Sequence, residues 1–131
     1  MIVTPIVGAI MVALYITLAF KIIGYRREHK ISIGHGDNDD LHRAIRAHGN
    51  LTEYAPLCLI LIAVLEFNKA PFVLSAILGI LVSAGRLLHA RAMTQPPQNA
   101  MSMRVRGMQL TIISLGLLAV SNVLWLIWLA F

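Results

Sequence analysis

The chain has 131 residues, of which 58% are hydrophobic and 13% are charged, and its formal net charge is +5. A soluble domain is about half apolar and about a quarter charged, so this composition excludes an ordinary water-soluble protein. The length favours a single domain, residues 1–131, which the composition makes an integral membrane domain. In such a protein the positions of the positive charges indicate which loops are cytoplasmic, and nucleic acid is not expected as a partner.

Four apolar segments predict an all-α, four-helix membrane bundle with helices at about 3–23, 41–67, 72–92 and 104–130. The first segment lacks the basic start of a cleaved signal peptide, so a retained spanning helix is expected. Gly, Asn, Asp and Pro mark the connections as loops. Within the first loop, "GDNDD" at 36–40 lacks the later Gly and Glu of a Ca²⁺ loop, which favours a solvated turn that caps the second helix.

The basic residues predict the orientation of the helices. Only Lys69 lies in the second connection, and the other ten of the eleven Lys and Arg residues flank the first and third connections. Cytoplasmic loops carry the excess of Lys and Arg in membrane proteins. Loops 1 and 3 are therefore predicted to be cytoplasmic, with both termini outside.

The second helix opens with a polar stripe whose members recur every three or four residues and so share one face: Arg43, Arg46, Asn50 and Glu53. Tyr54 lies beside the stripe, whereas His48 faces a different neighbour. One interpretation is structural, with the Arg side chains snorkelling to the headgroups and Arg46 pairing with Glu53. The other is a ligand site. An ionised group costs on the order of 3 kcal/mol at the bilayer centre, which favours a ligand for this stripe.

Two further helices bring basic groups to the same membrane depth. Arg86 and His89 share a face of the third helix, as headgroup contacts or as part of a pocket. Arg104 and Arg106 begin the fourth helix on different faces. The sequence thus predicts a positive pocket, half in lipid, for an anionic ligand beside an apolar one.

Two isolated residues are expected to be structural. Cys58 lies in an apolar run and, as the one cysteine, excludes an intrachain disulfide and a multi-thiolate metal site. No metal site is predicted. Asn122, deep in the fourth helix, is expected to make an interhelical hydrogen bond.

The motifs resemble those of the MAPEG family, the membrane-associated proteins of eicosanoid and glutathione metabolism, and most closely its short bacterial members. "RAIRAHGNLTEYAP" at 43–56 resembles the family's helix-2 signature. "GYRREHKIS" looks like the basic end of helix 1, "GRLLHARAM" like the Arg-x-x-His/Tyr motif of helix 3, and "RVRGM" like the Arg-led start of helix 4. The likeness covers nearly the whole chain in order.

The resemblance implies a homotrimer that binds glutathione, as co-substrate, at its subunit interfaces near the cytoplasmic boundary. Small residues of helix 4 would permit close helix contact: Gly107, Ser114, Gly116 and Ser121. The implied glutathione-binding residues are Arg26, Arg46, His48, Asn50, Glu53, Tyr54, Arg86 and His89. Arg46 and Arg26 would hold carboxylates and Glu53 the ammonium, while Asn50 would pair with an amide.

By the same resemblance an Arg at the start of helix 4 would hold the thiol as thiolate, the nucleophilic form. Arg104 is the first choice and Arg106 the second. Family enzymes often carry Tyr on helix 3 where this chain has His89 and Met93. That departure weakens the expectation of catalysis more than the expectation of binding.

The function expected is that of a glutathione transferase or peroxidase acting on lipophilic electrophiles in the cell's inner (plasma) membrane. The alternatives are a non-catalytic membrane scaffold and a small multidrug-type transporter. Such a transporter needs a membrane-embedded carboxylate, typically in the first helix, and the predicted segment 3–23 contains no Asp or Glu. This argues against the transporter.

Overall fold

The computed structural model consists of four long helices: α1 (Val3–His29), α2 (Asp39–Phe67), α3 (Phe72–Met93) and α4 (Pro97–Ala130). It describes residues 1–131, apart from the side chains of residues 97–99. Each helix is long and apolar enough to cross a membrane. The predicted all-α, membrane-spanning four-helix architecture is confirmed.

The two central helices are α2 and α3. Each contacts the other, α2 also packs on α1 and α4, and α3 on α4 and α1. Helices that follow one another in the sequence are neighbours in the bundle, and the most extensive contacts are those of α1 with α2 and of α3 with α4. Short connections between successive helices favour this antiparallel arrangement.

Two helices are longer than the hydropathy pattern predicts. α1 continues to His29, beyond the expected end near 23, and stops where Lys30 adopts a left-handed conformation with φ 53°. Basic side chains in its last turn are favourable because they face the negative end of the helix dipole. α4 begins directly after Pro96, ahead of the expected start near 104.

The start of α2 agrees with the turn predicted at 36–40. The Asn38 Oδ1 atom accepts a hydrogen bond from the Leu41 amide at 2.8 Å, which satisfies one of the free N–H groups at the helix start. Asp39 and Asp40 lie in the first turn, where a carboxylate complements the helix dipole. The capping interpretation is confirmed.

Apolar side chains cover the outside of the bundle as well as its centre. Large residues such as Phe20, Ile80 and Val123 are more than half exposed, as expected for helices surrounded by lipid. The interior mixes apolar Ile62 and Leu118 with small polar residues. Cys58 is fully buried with a free thiol, as predicted.

Hydrogen bonds join helices at the end of the bundle where α1 begins. The Glu66 carboxylate, near the end of α2, accepts from the amides of Ile2, Val3 and Thr4 at 2.6, 2.9 and 2.8 Å. It also accepts from the Thr4 hydroxyl at 2.6 Å. One side chain of α2 therefore satisfies the free N–H groups at the start of α1, which lipid could not do.

Two side chains of α4 fasten it to α2 toward the same end. The Asn122 Nδ2 atom donates to the Leu61 carbonyl at 3.1 Å, and the Trp125 indole donates to the Asn68 carbonyl at 2.9 Å. The interhelical role predicted for Asn122 is confirmed.

We expect Glu66→Gln to lower the free energy of unfolding by about 1–3 kcal/mol, because the amide NH₂ turns a donor toward backbone donors. Unfolding in detergent micelles, followed by circular dichroism, measures the change. Glu28→Gln is the matched control, since Glu28 is exposed. Equal stabilities for the two variants would contradict the capping role of Glu66.

Candidate ligand-binding site

A cleft of about 480 Å³ opens between α2 and α4 at the end of the bundle opposite Glu66. Polar side chains from three helices line it: Arg46, Asn50, Glu53 and Tyr54 of α2, His89 of α3, and Arg104 and Gln109 of α4. Val105, Met108 and Ile112 supply an apolar wall on α4. The cleft therefore combines charges of both signs with a lipid-facing apolar side.

The stripe predicted on α2 lies on the cleft. Arg46 and Glu53 are exposed on the same side of the helix, and Asn50, between them, donates from Nδ2 to the Arg46 carbonyl at 3.1 Å. Among the side chains that the structure describes, the salt bridge formed is Arg43–Asp40. Arg46 and Glu53 are thus not paired with each other. The purely structural interpretation of the stripe required this ion pair and is therefore weakened.

His89 joins α3 to the start of α4. Its Nδ1 atom lies 3.1 Å from the Arg104 carbonyl, so Nδ1 carries the proton and donates. The ring is 3% exposed, and Nε2 has no hydrogen-bond partner among the described groups. His89 therefore brings an uncommitted polar atom to the wall of the cleft.

Gly107 permits this close approach of α3 and α4. A Cβ atom at position 107 would lie 2.6 Å from the His89 amide nitrogen and 2.8 Å from its Cα. Backbone atoms cannot yield as a flexible side chain can, so glycine is required here. Gly116, also predicted to be a contact residue, is different: no described atom lies within 4 Å of the Cβ it would carry.

The two candidate Arg residues at the start of α4 occupy different positions. Arg104 lines the cleft and also an adjoining pocket of about 210 Å³, whose lining includes Arg43 and Met93. Arg106 is exposed and lies outside the lining of both. The geometry therefore favours Arg104 over Arg106 as the residue that can meet a ligand.

Arg86 lies deeper than its neighbours. It is 1% exposed, and its guanidinium carbon is 5.3 Å from the centre of the Tyr54 ring. It stands behind the cleft and is not part of its lining.

Two other predicted residues lie apart from the cleft of their own chain. The Arg26 guanidinium donates to the carbonyls of Ile31 and Ser32 at 3.4 and 3.0 Å, in a groove at the end of α1. The His48 ring packs on Tyr15 of α1, with 4.3 Å between ring centres. Their roles as ligands stay predictions.

The α4 wall of the cleft contains residues that the sequence analysis did not single out: Val105, Met108, Gln109 and Ile112. Their spacing from Arg104 by the helical period was the available indication. It was missed because apolar residues of a membrane helix carry no mark that separates a cleft wall from a lipid-facing surface.

Fold and cleft together define an integral membrane four-helix protein with a mixed-charge cleft between its second and fourth helices. The model of the MAPEG family matches residues 4–130, so the chain belongs to this family, which is associated with glutathione metabolism. The family assignment made from the motifs is confirmed.

The curated relatives that match are membrane proteins by name. The chain is 29% identical over 126 residues to the inner membrane protein YecN of Escherichia coli strain K12. The alignment covers 96% of this chain and 94% of that protein. The protein of the same name from the O6:H1 strain CFT073 matches with the same figures.

We expect Gly107→Ala to destabilise the bundle by about 1–3 kcal/mol, because the added methyl group forces α4 away from α3. Gly116→Ala is the matched control and should be neutral or more stable by up to about 1 kcal/mol, as helix propensity favours alanine. Thermal unfolding in micelles measures both. Similar melting temperatures for the two variants would exclude a tight contact at Gly107.

Proposed function

We propose that the protein binds glutathione in the α2–α4 cleft and joins it, through its sulfur, to electrophiles dissolved in the membrane. The observation that carries this proposal is the meeting of Arg46, Glu53 and Arg104 in one cleft. These charges lie at the end of membrane-spanning helices and make no salt bridge within the described part of the chain. Charges at such depth are costly unless a ligand or partner compensates for them.

Glutathione has two carboxylates, one ammonium, two amides and a thiol, and the cleft offers a complement for each kind of group. The Arg46 guanidinium can hold a carboxylate with two parallel hydrogen bonds. Glu53 can take the ammonium. Asn50 keeps its Oδ1 atom free to accept from an amide, since its Nδ2 is used by the Arg46 carbonyl.

Arg104 supplies the chemistry. A nearby cation favours the thiolate of glutathione, which is the nucleophile, and the thiol proton goes to water at the membrane boundary. With a lipophilic halide, the sulfur forms a bond to carbon while the halide leaves with the electron pair. The exposed Val105 and Ile112 give such a substrate an apolar approach from the lipid.

The assembly and location proposed follow the family and the relatives. A homotrimer would let Arg26 of one subunit approach the cleft of a neighbour, which would give Arg26 its predicted carboxylate. The chain would lie in the inner membrane, as the name of the E. coli relative states for that protein. Loops 1 and 3, and with them the cleft, would face the cytoplasm.

Calorimetry on the purified protein in micelles tests binding. We expect native protein to bind glutathione and Glu53→Gln to bind it roughly 10- to 100-fold more weakly, as expected for loss of a charged hydrogen bond. Glu28→Gln is the control and should bind like the native protein. If the native protein takes up no glutathione, the proposed function fails.

Ultraviolet absorbance of bound glutathione tests the thiolate. We expect Arg104→Leu to lose the thiolate band and conjugation of a lipophilic halide, while Arg106→Leu keeps both, because Arg104 lines the cleft and Arg106 does not. Loss of the band in Arg106→Leu instead would reverse the assignment. Glutathione binding without conjugation by native protein would favour the scaffold over the enzyme.

A further inference from the structure

Arg86 is a cation that the bundle buries without a salt bridge among the described side chains. The residue is 1% exposed within α3, and its Nε and Nη1 atoms have no hydrogen-bond partner among the described groups. A buried charge is normally paired with an opposite charge, because desolvation is otherwise unopposed. The salt bridge that the described side chains form is Arg43–Asp40, which does not involve Arg86.

The neighbours of Arg86 connect it to the cleft. Its guanidinium lies over the Tyr54 ring at 5.3 Å, within the range of a cation–π interaction. Tyr54 itself lines the cleft, as does His89, which follows Arg86 by one helical turn on the same face of α3. The cation therefore stands directly behind the cleft wall, with one layer of side chains between it and any ligand.

Two effects on a ligand follow from this position. The guanidinium lies over the Tyr54 ring and so helps to hold this partly exposed side chain in the cleft lining. Its charge, poorly screened because it is buried, also adds to the positive potential of Arg46 and Arg104 in front of the wall. The Glu53 carboxylate, which lines the same cleft, opposes part of this positive potential, and an anion in the cleft would add to that compensation.

We propose that Arg86 is a positioning residue that makes the cleft selective for anions from behind its wall, through Tyr54 and through its field, without touching the ligand. This inference rests on the proposed function, because glutathione is the anion concerned. It also replaces the direct contact that the resemblance implied for Arg86, which burial behind Tyr54 does not favour.

Arg86→Met and Arg86→Lys provide the test. Methionine removes the charge and fills the space with a flexible apolar chain, whereas lysine keeps the charge and loses the planar stacking on Tyr54. Arg91→Met is the matched control, since Arg91 lies on the same helix and is exposed. Melting temperature without ligand and the dissociation constant for glutathione are measured for each protein in micelles.

For Arg86→Met we expect stability and glutathione affinity to respond differently. Arg86→Met should melt no lower than the native protein, because a buried charge that makes no salt bridge has been removed. It should bind glutathione about tenfold more weakly, the scale of a charge about 10 Å away at an effective dielectric of about 20. Arg86→Lys should recover most of this affinity, and Arg91→Met should resemble the native protein in both measurements.

Each other outcome overturns the inference. Native-like affinity in Arg86→Met would show that the charge behind the wall has no effect on binding. A lower melting temperature in Arg86→Met would show that Arg86 stabilises the fold. Weak glutathione binding by Arg86→Lys would show that a positive charge at this position does not support binding. These three results leave glutathione binding by the native protein intact, whereas its absence there would refute the proposed function and this inference together.

Discussion

The close approach of α3 and α4 at Gly107 is the constraint on which the cleft depends. With no side chain at position 107, α4 rests against the backbone of His89, and the His89 ring reaches the Arg104 carbonyl. This contact fixes the rotation and depth of α4 at its first turns. Arg104 thereby meets the polar stripe of α2 in one cleft, and Val105 and Met108 become its apolar wall.

The two ends of the bundle use polar groups in opposite ways. At one end, hydrogen bonds of Glu66, Asn122 and Trp125 to other groups of the protein join α1 and α4 to α2. At the other end, Glu53 and the Nε2 atom of His89 have no partner within the described chain. Hydrogen bonds between helices thus fasten one end, whereas polar groups without a partner make the other end a place for a ligand.

The sequence predicts the four-helix membrane fold and the shared face of Arg46, Asn50 and Glu53, because hydropathy and helical period are local properties. It leaves the choice between Arg104 and Arg106 to tertiary packing, since both begin the same helix and only the rotation of α4 against α3 distinguishes them. Tertiary packing also decides the burial of Arg86 behind Tyr54 and the positions of Arg26 and His48 away from the cleft. The end of α1 at His29 and the start of α4 after Pro96 were not predicted because polar residues can continue a helix beyond the apolar segment that crosses the membrane.

The Glu66 contact also bears on how the chain is inserted into the bilayer. Thr4 and its carboxylate partner are 62 positions apart, so α1 leaves the ribosome long before α2 is complete. Until then, the amides at its beginning have no acceptor inside the protein and must remain hydrated at the membrane surface. The cap at the start of α1 can therefore form only once the end of α2 has been synthesised, so these contacts are among the later ones formed during biogenesis of this half of the protein.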